Sequence, residues 1–354
     1  MSKIPVAVLG ATGNIGQRFV SLLQDHPFFE IAALCSSEGK VGGRLADFWR
    51  LDDAALDADV GAREIEPLDA RVLARSGAVA AFSALPPEVA DGLEAEAARA
   101  GAKVFSNASS HRMEDDVPLL VPEVNPDHLR LVERQATFAR GGFLTTNPNC
   151  SVTGLALVLK PLADAFDFSE AHVSTYQALS GAGYPGVPSL DILANVVPFI
   201  ESEEEKMRQE AKKILGTLRE TVVPSPLDVW ANCARVPVRE AHLEAVSIPL
   251  QEPVEAEDVA RALASFRGEP QRRRLPTAPR QPILVRSERN RPQPLLDLNA
   301  GEPARARGMA ATVGRIRVTD RNLRFFVLSH NTLRGGAGGS VLNAELAARR
   351  GYLA

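Results

Sequence analysis

Apolar and polar positions alternate in two different rhythms along this chain. From residue 4 to about 150, short β-branched or apolar runs (VAVLG, EIAALCSS, AVAAFSALP, KVFSNAS, FLTTN) alternate with longer helical patterns such as IGQRFVSLLQDH and PEVADGLEAEAARAGA. That alternation predicts βαβ units and a parallel sheet. After residue 150 the strand runs lengthen, as in AHVSTYQALSG, VWANCARVPV, HLEAVSIPL, GMAATVGRIRV and LRFFVLSHNT, with helices interspersed. A mixed or antiparallel sheet covered by helices on one face suits that order. The Pro- and Arg-rich stretch from 266 to 296 reads as an extended surface loop.

The change of rhythm near residue 150 predicts two α/β domains, 1–149 and 150–335, with a Gly-led helix over 336–354 folding back onto the first. A length of 354 residues is consistent with two domains, and 45% hydrophobic with 24% charged residues is an ordinary globular balance. Net charge is only −4, which gives no support to nucleic-acid or membrane-surface partners. No apolar run reaches the length of a bilayer span, and MSKIPVAVLGATGNIG lacks the layout of a signal peptide. Cys35, Cys150 and Cys233 are too few and too scattered for a disulfide frame or a zinc cluster, and the histidines show no metal-ligand spacing. These features lead us to expect a cytoplasmic protein without a metal.

In VAVLGATGNIGQRF a strand runs into Gly10-x-x-Gly13-x-x-Gly16 and then into a helix. Glycines there permit a tight turn and close backbone approach, so that a pyrophosphate can rest on the free amides of the helix N-terminus. The surrounding strand and helix supply the context that a bare glycine pattern lacks. At the end of the second strand an acidic residue would bind the ribose 2′-hydroxyl of NAD and repel a 2′-phosphate. Here the chain reads LCSSEGKVGGR: Ser36 and Ser37 can donate to a phosphate, and Lys40 or Arg44 can supply charge. NADP is the expected cofactor, with Glu38 as the residue that keeps NAD open.

Cys150 lies between the turn residues Pro148 and Asn149 and the apolar helix pattern SVTGLALVLKPL. Most cysteines are small core hydrophobes. A helix N-terminus, however, lowers a thiol pKa and favours the nucleophilic thiolate. Cys35 and Cys233 lack that context. A thiolate that attacks a carbonyl needs an acid/base nearby; His242, at a loop-to-strand edge seven residues after Arg235, is one candidate on chemistry alone, and Arg235 could clamp a carboxylate.

Taken together, GATGNIGQ, SSHRMEDDVPLLVPEVN, TTNPNCSVTGL, YQALSGAGYPGVPSLDILANVVPFI, EEEKM, RVPVREAH, RPQP and SHNTLRGGAGGSVLNAE make the chain resemble the aspartate-β-semialdehyde dehydrogenase family, in its archaeal and fungal branch, nearly end to end. The resemblance implies a Rossmann NADP-binding domain plus an α+β catalytic and dimerisation domain of the glyceraldehyde-phosphate-dehydrogenase type. It also implies Cys150 as nucleophile, His242 as acid/base and Gln177 as the residue orienting substrate beside the thiol. Arg235 would hold the substrate α-carboxylate, Glu203 its α-ammonium group, and Arg112, Lys206 and Asn149 its phosphate. Gly10, Thr12, Gly13, Asn14, Ile15, Ser36 and Ser37 would bind the cofactor, with Ser180, Gly181 and Asn331 at its nicotinamide half. One departure stands out, Ala241 before His242 where the family has glycine.

The implied reaction is reductive dephosphorylation of 4-phospho-L-aspartate to L-aspartate 4-semialdehyde and phosphate, through a cysteine thioester. It would serve lysine, threonine, methionine and isoleucine biosynthesis, in a homodimer or homotetramer. Backbone amides near Asn149 and Cys150 are the expected oxyanion donors. The alternatives on the same scaffold are a malonyl-coenzyme A reductase and an N-acetyl-glutamyl-phosphate reductase, whose thiol motif PGC differs from PNC here. A non-catalytic NADP-binding protein is the remaining reading, and it would not explain Cys150, His242 and Arg235 together.

Overall fold

The structure, a computed structural model, describes residues 2–353. The chain divides into two compact units: one takes the residues up to Leu120, Asp127–Asn147 and those from Gly336, and the other takes Val121–Pro126 and Pro148–Gly335.

In the first unit six strands form one sheet: β1 (Ile4–Leu9), β2 (Phe29–Ser36), β3 (Glu66–Pro67), β4 (Ala80–Ser83), β5 (Lys103–Ser106) and β6 (Phe143–Thr146). Their order is β3-β2-β1-β4-β5-β6, every pairing parallel, the doubly wound arrangement that binds dinucleotides at the carboxyl ends of its strands. Alternate side chains fill opposite faces. Ala7, Leu9, Ala33 and Ala81 join one apolar cluster, while Phe82 on the other face meets Phe19, Phe29 and Phe105 at ring centroid distances of 5.1, 5.8 and 5.7 Å. The helix Gly338–Arg349 packs on β5 and on the helix Asn14–Leu23, and its Glu345 pairs with His26 at 2.8 Å, both side chains fully buried.

The second unit is built on strands β7 (Glu170–Gln177), β10 (Asp228–Arg235), β11 (His242–Pro249), β12 (Ile283–Arg286), β13 (Ala311–Thr319) and β14 (Asn322–Ser329), with β8 (Thr217–Leu218) and β9 (Val222–Val223) as a separate ribbon. The order β10-β7-β11-β14-β13-β12 is mixed, parallel at its two edges and antiparallel inside. Helices Cys150–Ala165, Glu203–Ile214 and Ala256–Ser265 pack against it, and along β7 and β11 burial alternates residue by residue. The other face leaves Tyr176 and Trp230 41% and 45% exposed.

The Pro- and Arg-rich segment differs from the surface loop expected. It supplies the edge strand β12 and folds around Asp297, whose side chain is fully buried and is held by Arg286 and Arg291 at 3.3 and 2.5 Å. Arginine here serves an internal ion pair, which composition cannot distinguish from a solvated loop.

At Gly16 a Cβ would lie 2.0 Å from the Gly10 carbonyl oxygen and 2.7 Å from its carbon, a backbone contact that cannot rotate away. Gly16→Ala should therefore cost about 1–3 kcal/mol through overpacking. Calorimetry should show the thermal midpoint falling by several degrees, and an unchanged midpoint would mean that the turn has slack.

Candidate active site

In the first unit the glycine loop follows β1. Gly10 has φ +82°, and its own added Cβ would come within 2.8 Å of the Ala84 carbonyl oxygen, so the backbone alone occupies this cradle. Gly13 caps the helix Asn14–Leu23 without any side chain on the N-terminal amides, and Asn14 and Ile15 open that helix. Those uncapped amides form the surface a pyrophosphate requires. Thr12 lies beside them: its hydroxyl is 2.6 Å from that of Ser36 at the end of β2 and accepts a 2.9 Å hydrogen bond from Lys40 Nζ. A cation and two hydroxyls at the strand end fit a ribose 2′-phosphate. Glu38 and Ser37 are exposed, and Arg44 is exposed and 3.9 Å from Asp47, so Lys40 is the cation at this place.

In the second unit the helix Cys150–Ala165 begins at the predicted nucleophile. Asn149 is its N-cap, with Oδ1 accepting from the backbone of Ser151 and Val152 at 2.9 and 3.3 Å. The cap holds the positive end of the helix against the thiol. Asn149 Nδ2 donates to Glu203 Oε2 at 2.9 Å, and its backbone N–H donates to Glu210 Oε2 at 2.7 Å. Its N–H is therefore committed to Glu210, not presented as an oxyanion donor, and its side chain is engaged with the helix and Glu203, not open toward a phosphate. Glu210 carries no sequence signal for this role beyond lying two turns after Glu203.

His242, the first residue of β11, is fully buried, with Nε2 3.1 Å from Cys150 Sγ. Its Nδ1 accepts the backbone N–H of Ala178 at 3.0 Å. An amide can only donate, so the neutral ring carries its proton on Nε2, facing the sulfur. Burial, together with the Arg235 charge, pushes the His242 pKa down from 6.5 to about 3. Arg235 ends β10 with Nη1 donating to the Ala178 carbonyl at 2.8 Å; burial lowers its pKa, while the charges of Cys150 and Glu203 act the other way. Gln177, the last residue of β7, donates to Glu203 Oε1 at 2.8 Å. Lys206 lies half-buried one turn along the helix from Glu203. A Cβ on Gly181 would come within 2.8 Å of Arg235 Nη1 and 3.2 Å of His242 Nε2, so a side chain there would press on both groups.

Ser180 and Asn331 join this group: Asn331 Nδ2 donates to Ser180 Oγ at 2.8 Å, and Ser180 Oγ donates to Glu240 at 3.0 Å. Arg112 belongs to the first unit, where it is buried and donates to the Asn107 carbonyl at 2.8 Å. The other two thiols are no rivals, since burial pushes Cys35 and Cys233 up to about 12. The second unit thus brings together Cys150, His242, Gln177, Arg235, Glu203, Asn149, Ser180, Gly181 and Asn331.

A doubly wound dinucleotide unit and a mixed-sheet unit of this kind in one chain define a nicotinamide-dependent oxidoreductase. Family models agree: a semialdehyde dehydrogenase NAD binding domain matches residues 5–132, and a semialdehyde dehydrogenase dimerisation domain matches residues 159–334. The chain is 47% identical to the aspartate-semialdehyde dehydrogenase of Methanothermobacter thermautotrophicus, over 97% of this chain and 98% of that one. It is 36% identical to the NADP malonyl-CoA reductase of Metallosphaera sedula, over 99% and 98% of the two chains. Among solved structures it matches aspartate semialdehyde dehydrogenase with NADP from Candida albicans at a TM-score of 0.87 and 35% identity, covering 99% of this chain and 100% of that one. The chain belongs to the semialdehyde dehydrogenase family.

Two outcomes follow from His242 and its neighbour. Ala241 adopts φ +74°, a left-handed conformation that costs an L-residue with a Cβ about 1–2 kcal/mol. Ala241→Gly removes that strain but adds about 0.5–1 kcal/mol of chain entropy. A net stabilisation of roughly 0.5 kcal/mol is expected from these opposing effects, read as a higher denaturant midpoint at unchanged m. The second outcome concerns pH. The unfolded chain binds a proton at His242 near 6.5 that the folded chain refuses until about 3, so the associated stability is complete above 6.5 and declines as pH falls. Its slope is about 1.4 kcal/mol per pH unit within that window. His242→Gln should flatten the acid limb of the stability profile by one proton, and an unchanged limb would mean that the imidazole is not held neutral.

Proposed function

We propose that this protein is an NADP-dependent aspartate-semialdehyde dehydrogenase that reductively dephosphorylates 4-phospho-L-aspartate to L-aspartate 4-semialdehyde, reversibly, in the biosynthesis of lysine, threonine, methionine and isoleucine. The observation that carries the reading is the 3.1 Å approach of Cys150 Sγ to His242 Nε2 at a capped helix N-terminus.

The Cys150 thiolate forms a bond to the acyl carbon and the carbon–oxygen bond to phosphate breaks, the electron pair leaving with phosphate, so that a thioester remains on sulfur. Bound NADPH supplies the hydride that reduces this acyl group to the aldehyde level. As the acid/base, His242 acts through its Nε2 proton, which lies against the sulfur and can stabilise oxyanions formed there. Collapse of the thiohemiacetal breaks the carbon–sulfur bond, returning thiolate and releasing aldehyde. Arg235 holds the α-carboxylate, Glu203 receives the α-ammonium group, Gln177 orients substrate beside the thiol, and Lys206 attracts phosphate, a role that the family resemblance also gives to Arg112. In the resting arrangement Asn149 supports Glu203 and the helix.

Glu203 is what favours an amino-acid substrate over a malonyl thioester. A buried carboxylate with two amide donors suits an ammonium ion, and malonyl groups have none. Thr12, Ser36 and Lys40 favour NADP over NAD, and Ser180, Gly181 and Asn331 are the expected nicotinamide contacts. We further propose a homodimer, or a tetramer of two such pairs, joined through the open face of the second unit's sheet where Tyr176 and Trp230 are exposed. Among the described residues no helix is long and apolar enough to cross a membrane, and we place the enzyme in the cytoplasm.

The test is oxidation of aspartate semialdehyde with NADP or NAD, in phosphate or in coenzyme A. Phosphate-dependent NADP reduction is expected, and coenzyme A dependence would transfer the enzyme to the malonyl reductase reading. Cys150→Ser should lose at least about a thousandfold in kcat while binding NADP as the wild type does. Near-normal turnover would remove the thiol from the mechanism.

A further inference from the structure

We propose that Asn331 is a positioning residue for His242, acting through the left-handed backbone of Ala241. The inference rests on reading Cys150 and His242 as the reacting pair, and is independent of which acyl substrate they serve.

Ala241 is fully buried, stands immediately before His242 and has φ +74°. Non-glycine residues stay in that region only where the surroundings over-determine them. Asn331 Oδ1 accepts the Ala241 N–H at 2.9 Å, and the same amide donates through Nδ2 to Ser180 Oγ at 2.8 Å. Asn331 is itself 3% exposed, and both of its polar ends are used. Glu240, on the other side of Ala241, receives the hydroxyls of Ser180 and Thr332 at 3.0 and 3.3 Å. The turn 240–241 is thus tied to the segments at 180 and 331 by three hydrogen bonds, one of them made by Asn331, and a second bond of Asn331 joins those two segments to each other.

Its consequence reaches the sulfur through His242. Rotating Ala241 to negative φ changes the direction in which the chain enters β11, and with it the aim of an imidazole held 3.0 Å from Ala178 N and 3.1 Å from Cys150 Sγ. Alanine prefers to leave the left-handed region and glycine has no such preference. A clamp is therefore needed with alanine at 241 and is largely dispensable with glycine. This gives the two sites a coupled behaviour that a simple cofactor contact lacks.

The experiment measures iodoacetamide alkylation of the cofactor-free enzyme at pH 7, with Cys150 identified as the modified thiol by peptide mass mapping and folding checked by circular dichroism. Four proteins are compared: wild type, Asn331→Ala, Ala241→Gly and the double variant. Asn331→Ala should slow Cys150 alkylation about tenfold, the change expected when a thiol pKa rises by about one unit. The double variant should recover most of that rate. If Asn331→Ala does not fold, Asn331→Ser replaces it, because a serine hydroxyl cannot span Ala241 and Ser180 and the same loss and rescue are expected. Wild-type alkylation in the Asn331 variant, with only the KM for NADPH altered, would overturn the proposal, as would a double variant no faster than the single one. A wild-type Cys150 no more reactive than an ordinary thiol would instead overturn the reading of the pair itself.

Discussion

The site depends on the N-cap of the helix Cys150–Ala165. One side chain, Asn149, ends that helix with its carbonyl oxygen and grips Glu203 with its amide nitrogen, while its backbone N–H is taken by Glu210. A cap of this type is worth only about 0.5–2 kcal/mol, little against the stability of a whole unit. Its importance is geometric. It fixes the first turn, hence the direction of the Cys150 side chain, and couples that direction to the helix Glu203–Ile214 that carries the buried Glu203 carboxylate. Gly154 and Gly335 permit the same precision from the other side: a Cβ on the first would lie 2.4 Å from Ser329 Oγ, and on the second 2.7 Å from the Cys150 Cα.

Around that cap the charges are arranged so that sulfur, and not imidazole, is the group stabilised in ionised form. A thiolate there gains from the helix terminus, from Arg235 and from the Nε2 proton of His242. Imidazolium would lose on two counts, since it is fully buried beside Arg235 and its Nδ1 faces a backbone N–H from Ala178. The other two thiols meet the same physics in reverse: Cys35 and Cys233 are buried, with carboxylates such as Glu66 and Glu203 nearby, and their thiols are pushed up to about 12. A single microenvironment thus selects one thiol of three.

The sequence carried this much only where local pattern and chemistry coincide. Alternating strands and helices announced the parallel sheet because each βα repeat is written within about thirty contiguous residues. The glycine spacing announced the cradle because a Cβ at Gly10 or Gly16 collides with backbone a few residues away or on the neighbouring strand. Cys150 was legible from the helix pattern that follows it. The second unit's sheet order was not, since β11 lies between β7 and β14, with partners separated by tens of residues. Ala178 and Glu210 act through a backbone amide and a capping carboxylate, roles that no residue type advertises. The Pro- and Arg-rich segment misled because an internal Asp297 needs the same arginines that a solvated loop would display.

The same limit explains why the residues at the end of the second strand were ambiguous in sequence, where a single turn decides which of them faces Thr12 and Ser36. In LCSSEGK, carboxylate and ammonium are two residues apart, and composition alone cannot say which of them faces the ribose. Glu38, Gly39 and Lys40 form one short 3-10 turn, which sends successive side chains about 120° apart. Lys40 reaches back to Thr12, and so to the Ser36 hydroxyl beside it, while Glu38 remains exposed. A carboxylate at that strand end is ordinarily the discriminating residue because it accepts from a 2′-hydroxyl and repels a 2′-phosphate. Here the turn puts an ammonium ion in that place. That arrangement suits a negatively charged group at the 2′ position of a ribose, and the Glu38 carboxylate stays exposed away from the two hydroxyls.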